Sequence, residues 1–212
     1  MSFKKNKITV NYPGLNLKHL SSIKINNNNE SFDATFMAQL REPKGIYDLI
    51  NIWKKVVKEI PSAQLRIIGS GNTELVNAFK TKIKEKSLNE NIKLLGFLTD
   101  DEAFQTIKQS KIFIFPSHEE GFGLAPLEAQ TLGIPIIAWD LDVFEEIFPE
   151  GMIKIKFRNI DKFANKVIEL LKNKSIRVKL SQEAVNNSKR FDWKKTANFE
   201  LSLIDKFIDE KD

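Results

Sequence analysis

Asp33-Ala34-Thr35-Phe36-Met37-Ala38 is an apolar run of strand length, and Gln64-Leu65-Arg66-Ile67-Ile68 is a second one. Between them, Ile46, Leu49, Ile50, Trp53, Val56, Val57 and Ile60 recur at helical spacing within Gly45 to Ile60, and the opposite face is charged. A strand, an amphipathic helix and a second strand make a β-α-β unit, the building block of a parallel sheet. The alternation continues downstream. Further strands are expected at Ile92 to Leu95, Lys111 to Phe115, Pro135 to Trp139 and Met152 to Ile155. Helices are expected at Thr73 to Lys86, Asp101 to Gln109, Leu124 to Leu132 and Asp142 to Phe148, then at Asp161 to Asn173, Ser175 to Lys189 and Trp193 to Ile208. The fold class is therefore α/β, a Rossmann-like doubly wound parallel sheet over residues 32–212.

Residues 1–31 differ in kind. Ile8-Thr9-Val10 has the composition of a short strand, Tyr12-Pro13-Gly14 reads as a turn, and Asn26 to Asn29 form a polar low-complexity tract. The expectation is an arm leading into the sheet, with a polar loop, rather than a second domain. The 212 residues are 42% hydrophobic, enough to bury a substantial core. The absence of cysteine excludes disulfides, thiolate metal sites and a cysteine nucleophile, and two histidines leave little for metal chemistry. Neither an apolar run of spanning length nor a signal-type leader is present, so the expected location is cytoplasmic, with peripheral contact to the inner membrane face as the most that membrane association would amount to. The net charge of +5 is spread along helical lysines such as Lys54, Lys55, Lys58, Lys80, Lys82, Lys84 and Lys86, which argues against a nucleic-acid footprint.

In open parallel sheets, ligands bind beyond the carboxyl ends of the strands, so the loops that follow the strands carry the chemistry. After the first core strand come Gln39, Arg41 and Lys44; after the second, Gly69-Ser70-Gly71; after the third, Gly96-Phe97-Leu98. After the fourth comes Pro116-Ser117-His118-Glu119-Glu120-Gly121-Phe122-Gly123. Glycines just before a helix whose first turn contains Pro126 leave the amides of Gly123, Leu124 and Ala125 free to face an anion. Glu128 can accept two hydrogen bonds from the vicinal hydroxyls of a ribose, and Glu120 those of a second sugar. Arg41 and Lys44 supply the positive charge that two phosphates require. Together these features describe a site for a nucleoside-diphosphate sugar.

Each residue also has a plain structural reading. Glu128 suits a helix start whatever it binds, Glu120 is readable as a solvated loop charge, and Arg41 and Lys44 as ordinary surface residues. Gly69-Ser70-Gly71 lacks the third glycine of a dinucleotide fingerprint and reads as a strand-end turn, Phe97 and Leu98 as plain core, and His118 as a loop histidine bonded locally.

Pro116-Ser117-x-x-Glu120-Gly121-Phe122-Gly123-Leu124-x-x-x-Glu128-Ala129, followed by Gly133-Ile134-Pro135-Ile136-Ile137-Ala138, resembles the E-x7-E signature of the glycosyl transferases group 1, glycosyltransferase family 4, of the GT-B fold. Pro43-Lys44-Gly45, Leu94-Leu95-Gly96-Phe97, Glu146-Ile147 and Arg190-Phe191-Asp192-Trp193 add to the resemblance, which spans nearly the whole chain. It implies a single GT-B half-domain, the carboxy-terminal donor-binding one. It further implies a retaining, metal-independent hexosyltransferase without a cofactor. Glu120 and Lys44 would be the catalytic residues, with Glu120 on the transferred sugar. The donor would be bound by Glu128 on the ribose, by Gly121, Phe122, Gly123 and Leu124 with Arg41 and Gln39 around the diphosphate, and by Gly71, Phe97 and Leu98 near the base.

Two departures from the family pattern bear on this expectation. Ala38-Gln39-Leu40 stands where Gly-Arg-Leu is usual, so one diphosphate cation is replaced by an amide. The amino-terminal acceptor half is absent, which leaves either a fragment of a longer enzyme or a separate donor-binding subunit. Its partner would be an acceptor-binding domain, another chain or a second copy, meeting apolar positions such as Phe199, Leu203 and Phe207. The alternative reading is a non-catalytic nucleotide-sugar-binding or regulatory subunit.

Overall fold

The computed structural model describes residues 8–25 and 32–209. In chain order these are α1 (Leu17–Ser22), β1 (Phe32–Met37), α2 (Ile46–Glu59), β2 (Leu65–Ile68), α3 (Thr73–Glu85), β3 (Ile92–Gly96), α4 (Asp100–Lys108) and β4 (Ser110–Phe115). They continue as α5 (Leu124–Thr131), β5 (Ile136–Trp139), α6 (Val143–Ile147), β6 (Met152–Ile155), α7 (Ile160–Lys172), α8 (Lys174–Ser188) and α9 (Trp193–Asp209). The six strands lie in the order β3-β2-β1-β4-β5-β6. Every pairing among them is parallel, for example Phe36 beside Ile67 and Phe113 beside Ile136. The chain winds outward from β1 to β3, then returns to place β4 on the other side of β1. The sheet therefore reverses direction between β1 and β4, where a crevice opens beyond the strand ends.

Burial follows from covering both faces of the sheet with helices. β4 and β5 are apolar at nearly every position because neither face meets water. The stripe of α2 is wider than its sequence period suggests, with Ile52 buried beside Ile46, Leu49, Ile50, Trp53 and Val56, since α2 packs on α7 as well as on the sheet. Trp53, Trp139, Phe36 and Phe113 are fully enclosed.

The amino-terminal arm departs from its expected form. Ile8-Thr9-Val10 is not a strand: it pairs with nothing, and Ile8 and Val10 are exposed. The Asn26 to Asn29 tract lies outside the described residues. A short helix that the sequence reading left inside the arm, α1, is capped by the Asn16 side chain, and its Leu20 joins the core together with Ile23. Lys108 donates to the Ile23 carbonyl and further ties the arm down. Leu15 forms a parallel bridge with Asp192, its amide donating to Phe191 O at 2.7 Å while Trp193 donates back to Leu15 O at 3.0 Å.

Candidate functional site

β1 ends at Met37, and the chain bends at Ala38 and Leu40 before a 3-10 turn at Glu42–Lys44. Pro43 sits in the first part of that turn, where its missing N–H costs nothing. Gly45 follows in the left-handed region, φ +71°, and a Cβ there would overlap the Pro116 carbonyl of the β4 loop. Only glycine allows the two loops this approach. The amide of His118 donates to Pro43 O at 2.8 Å, and Ser117 Oγ reaches Pro43 O at 3.3 Å and Glu119 O at 3.0 Å.

This stitching aims Lys44 at the β4 loop. Its Nζ lies 2.6 Å from Glu120 Oε1, with the side chains 17% and 11% exposed. The shielding strengthens the pair beyond an ordinary surface contact. Beside the pair, Gly123 adopts φ +95° at the start of α5, where a Cβ would press on the rings of Phe144 and Phe148. No side chain caps this helix. Its first amides and the positive end of its dipole therefore face the crevice, which has a volume of about 280 Å³ and is walled by Gln39, Lys44, Glu120, Phe122, Gly123 and Leu124. Phe122 is held from behind by Tyr12 and Phe191, whose ring centroids lie 6.1 and 5.6 Å away.

Glu128 lies on α5 just beyond the crevice wall and is half-buried. Burial pushes its carboxyl up to about 7, and repulsion from Asp100 at the start of α4 adds to the shift. In the free protein it therefore exchanges its proton near neutrality.

The remaining candidates are spread more widely. Gln39 lines the crevice, but Arg41, expected to reach into it, is exposed and forms no part of its wall. The bends after Met37 end the strand alternation that would have given Arg41 and Gln39 a common face. Gly71 packs against Leu40, to whose carbonyl a Cβ would come within 2.6 Å, while Leu40 donates to Ser70 O. The Gly69-Ser70-Gly71 turn thus has a structural reason of its own. Phe97 and Leu98 lie at the exit of β3, two strands from β1. Phe97 is 80% exposed rather than core. Glu120, Lys44, Gly123, Phe122 and Leu124 are brought together, with Gly121 in the same loop. Among the described residues, no group of three or more His, Cys, Asp or Glu is placed to hold a metal ion, and no helix is long and apolar enough to cross a membrane.

His118 overturns the local reading. Its Nε2 lies 2.8 Å from Oδ2 of Asp48, which is 70 residues away on α2, and the Trp139 indole donates to the same oxygen at 3.3 Å. Sequence reasoning passed over Asp48 and Trp139. The available signal was a tryptophan in a buried strand, whose N–H must find an acceptor.

The family model for glycosyl transferases group 1 matches residues 19–190. The chain belongs to this family. Among its curated relatives, the poly(glycerol-phosphate) alpha-glucosyltransferase of Bacillus subtilis (strain 168) is 31% identical over 178 residues, which is 82% of this chain and 26% of that protein. This group 1 chain spans about half or less of the length of several curated relatives. Among solved structures, Anabaena HepE in complex with UDP and glucose superposes with a TM-score of 0.84 at 18% identity, covering 96% of this chain and 58% of that one. The C-terminal domain of a glycosyl transferase group 1 family protein (LpcC) from Francisella tularensis gives 0.68 at 22% identity, covering 84% of this chain and 94% of that one. These likenesses show the fold: a carboxy-terminal GT-B half-domain, Rossmann-like, as the sequence implied.

Proposed function

We propose that this chain is the donor-binding half of a retaining, metal-independent glycosyltransferase that moves a hexose-type sugar from a nucleoside diphosphate to an acceptor held by another domain or chain. The observation that carries this reading is the convergence of Lys44, Glu120 and the uncapped start of α5 at the point where the sheet reverses. When the bond between sugar and diphosphate breaks, negative charge accumulates on the phosphate. Lys44 and the amides of Gly123 and Leu124, already oriented, stabilise that charge in the place a divalent cation would otherwise serve. Glu120 accepts from hydroxyls of the transferred sugar, and Glu128 accepts from the ribose. The base lies toward Gly71, Phe97 and Leu98. In the retaining course proposed here, the acceptor oxygen forms its bond to the anomeric carbon on the face from which the nucleoside diphosphate leaves, which preserves the anomeric configuration without a covalent intermediate on a side chain.

The acceptor must be held as well, because transfer needs a near-attack geometry. α9 exposes Trp193, Phe199, Leu201, Ile204 and Ile208, with Leu203 partly covered, an apolar surface suited to an acceptor-binding domain, a partner chain or a second copy. The side chain of Phe207 lies outside the described residues. Gln39 in place of a cation favours a second reading, a nucleotide-sugar-binding subunit that transfers nothing itself.

Calorimetric titration with UDP, GDP, ADP and TDP, then with the matching nucleotide sugars, with and without EDTA, tests both. Selective binding of one nucleotide, unaffected by EDTA and tightened by one sugar, supports the donor half. Absence of binding by the folded chain sinks it. Binding without transfer after an acceptor domain is supplied favours the non-catalytic subunit.

A further inference from the structure

His118, Asp48 and Trp139 form a small hydrogen-bonded network on the far side of the Pro43–Lys44 turn from the donor crevice. Asp48 lies in the first turn of α2, where the helix dipole favours a carboxylate. A carboxylate only accepts, so the imidazole nitrogen facing it, Nε2, carries the proton. The second bond to the same oxygen comes from Trp139, which is fully enclosed at the end of β5 and packed edge-on against Phe163 at 4.8 Å. Asp48 is thus anchored to a rigid strand, and His118 is anchored to Asp48. The imidazole also packs at right angles to the Phe157 ring, centroids 5.2 Å apart. The backbone of the same residue donates to Pro43 O, one position before Lys44. His118 is therefore held by side chain and main chain between the turn that carries Lys44 and the loop that carries Glu120, two positions on.

We propose that His118 is a positioning residue. Through its bonds to Asp48 and Pro43 it sets the Pro116–Gly123 loop against the Pro43–Lys44 turn, and so fixes Glu120 relative to Lys44. This inference rests on the reading of Lys44 and Glu120 as donor contacts. Gly45, packed on Pro116, brings the two loops close; the His118–Asp48 bond decides how they are oriented once close. A bond two residues from Glu120 transmits directly, because the intervening chain is too short to absorb a rotation of the loop.

Two measurements test it, one without ligand. In amide hydrogen exchange, His118→Ala and Asp48→Asn should each speed exchange at the 118 amide and across residues 119–123 by about tenfold, with strands β1 and β4 unchanged. His118→Gln, which keeps a donor for Asp48, should restore most of the protection. Unchanged exchange in His118→Ala overturns the proposal, whether or not any nucleotide binds. The second measurement is a double-mutant cycle read by titration with whichever of UDP, GDP, ADP and TDP binds tightest. His118→Ala should weaken binding about fivefold in the wild-type background and less than about twofold with Lys44→Ala already present, because its effect passes through that contact. Equal losses in the two backgrounds would show general destabilisation and overturn positioning. If Lys44→Ala by itself leaves affinity unchanged, the donor reading fails, and the exchange result then judges His118 separately.

Discussion

Gly45 and Gly96 share almost the same φ, +71° and +73°, in opposite surroundings. At Gly45 the loop after β1 lies against Pro116, with no room for a methyl group; at Gly96, the last residue of β3, nothing lies within 4 Å of where one would stand. The residues beside them differ in the same sense. Lys44, its Glu120 partner and the stitched loop around them are shielded and multiply bonded, whereas Phe97 stands out in solvent. In the donor reading, one end of the site meets phosphate and the other meets a base. A charge acts only if its distance is fixed beforehand, so the phosphate end is built rigid. A flat aromatic base needs only a surface to lie on, and an open loop provides one.

The contrast can be broken most directly at the two glycines. Gly45→Ala should be the most damaging change, costing more than about 4 kcal/mol, because it adds a backbone overlap to the left-handed penalty. Gly96→Ala should cost only about 1–2 kcal/mol, the conformational penalty alone. Chemical denaturation of both variants checks this, and equal losses would mean that the loop after β1 is no tighter than the loop after β3.

Ligand affinity sharpens the comparison. Lys44→Ala should weaken binding of the cognate nucleoside diphosphate by about 10–100-fold, the range of a charge-assisted contact, as read by calorimetry. Phe97→Ala, treated below, should do far less.

Glu128 supplies a pH test. Burial pushes its carboxyl up to about 7 in the free protein, and in the donor reading the ribose diol binds the ionised form, so affinity for a nucleotide sugar should rise about tenfold from pH 6 to pH 8. A nucleotide sugar is the right probe because its phosphates do not titrate in that interval. Glu128→Gln should flatten the profile. The same shift bears on stability with the opposite trend. The folded pKa stands above the ordinary 4.5, so the folded form holds the extra proton; the associated stability is complete below about 4.5 and is lost as pH rises through about 7. Denaturation of Glu128→Gln across this range should show the loss of that slope.

The smallest effect belongs to Phe97→Ala. It should leave stability within about 0.5 kcal/mol and weaken nucleotide binding about fivefold, the low end for a stacked aromatic. A hundredfold loss there would make the β3 exit as demanding as the β1 exit.

The six strands and the helices between them were legible because their signals are local: β-branched and aromatic runs for β1 to β6, and a helical stripe in α2 that any neighbour would have covered. The same local signal misled at Ile8-Thr9-Val10, where strand composition meets no sheet edge to pair with. It was silent at α1, a helix too short to show a period. Lys44 and Glu120 were each legible as candidates, but the 2.6 Å bond between them was not, since it depends on how two loops 76 residues apart settle on Gly45. The exposed position of Arg41 was not legible for a related reason: the bends at Ala38 and Leu40 accompany the Leu40–Ser70 bond at the β1 exit, a contact between two strand exits rather than a property of either segment.

The parallel bridge between Leu15 and Asp192 gives the molecule a modular character. Bridged residues sit about 5 Å apart, so the strand of chain leading into the sheet-bearing body and the one leading out of it pass through a single narrow gate. Tyr12, on the entry side of the gate, packs on Phe122 and Phe191 and closes it from outside. With entry and exit this close, a short loop across the gate should permit circular permutation of the sheet-bearing body without stretching any of its six strands.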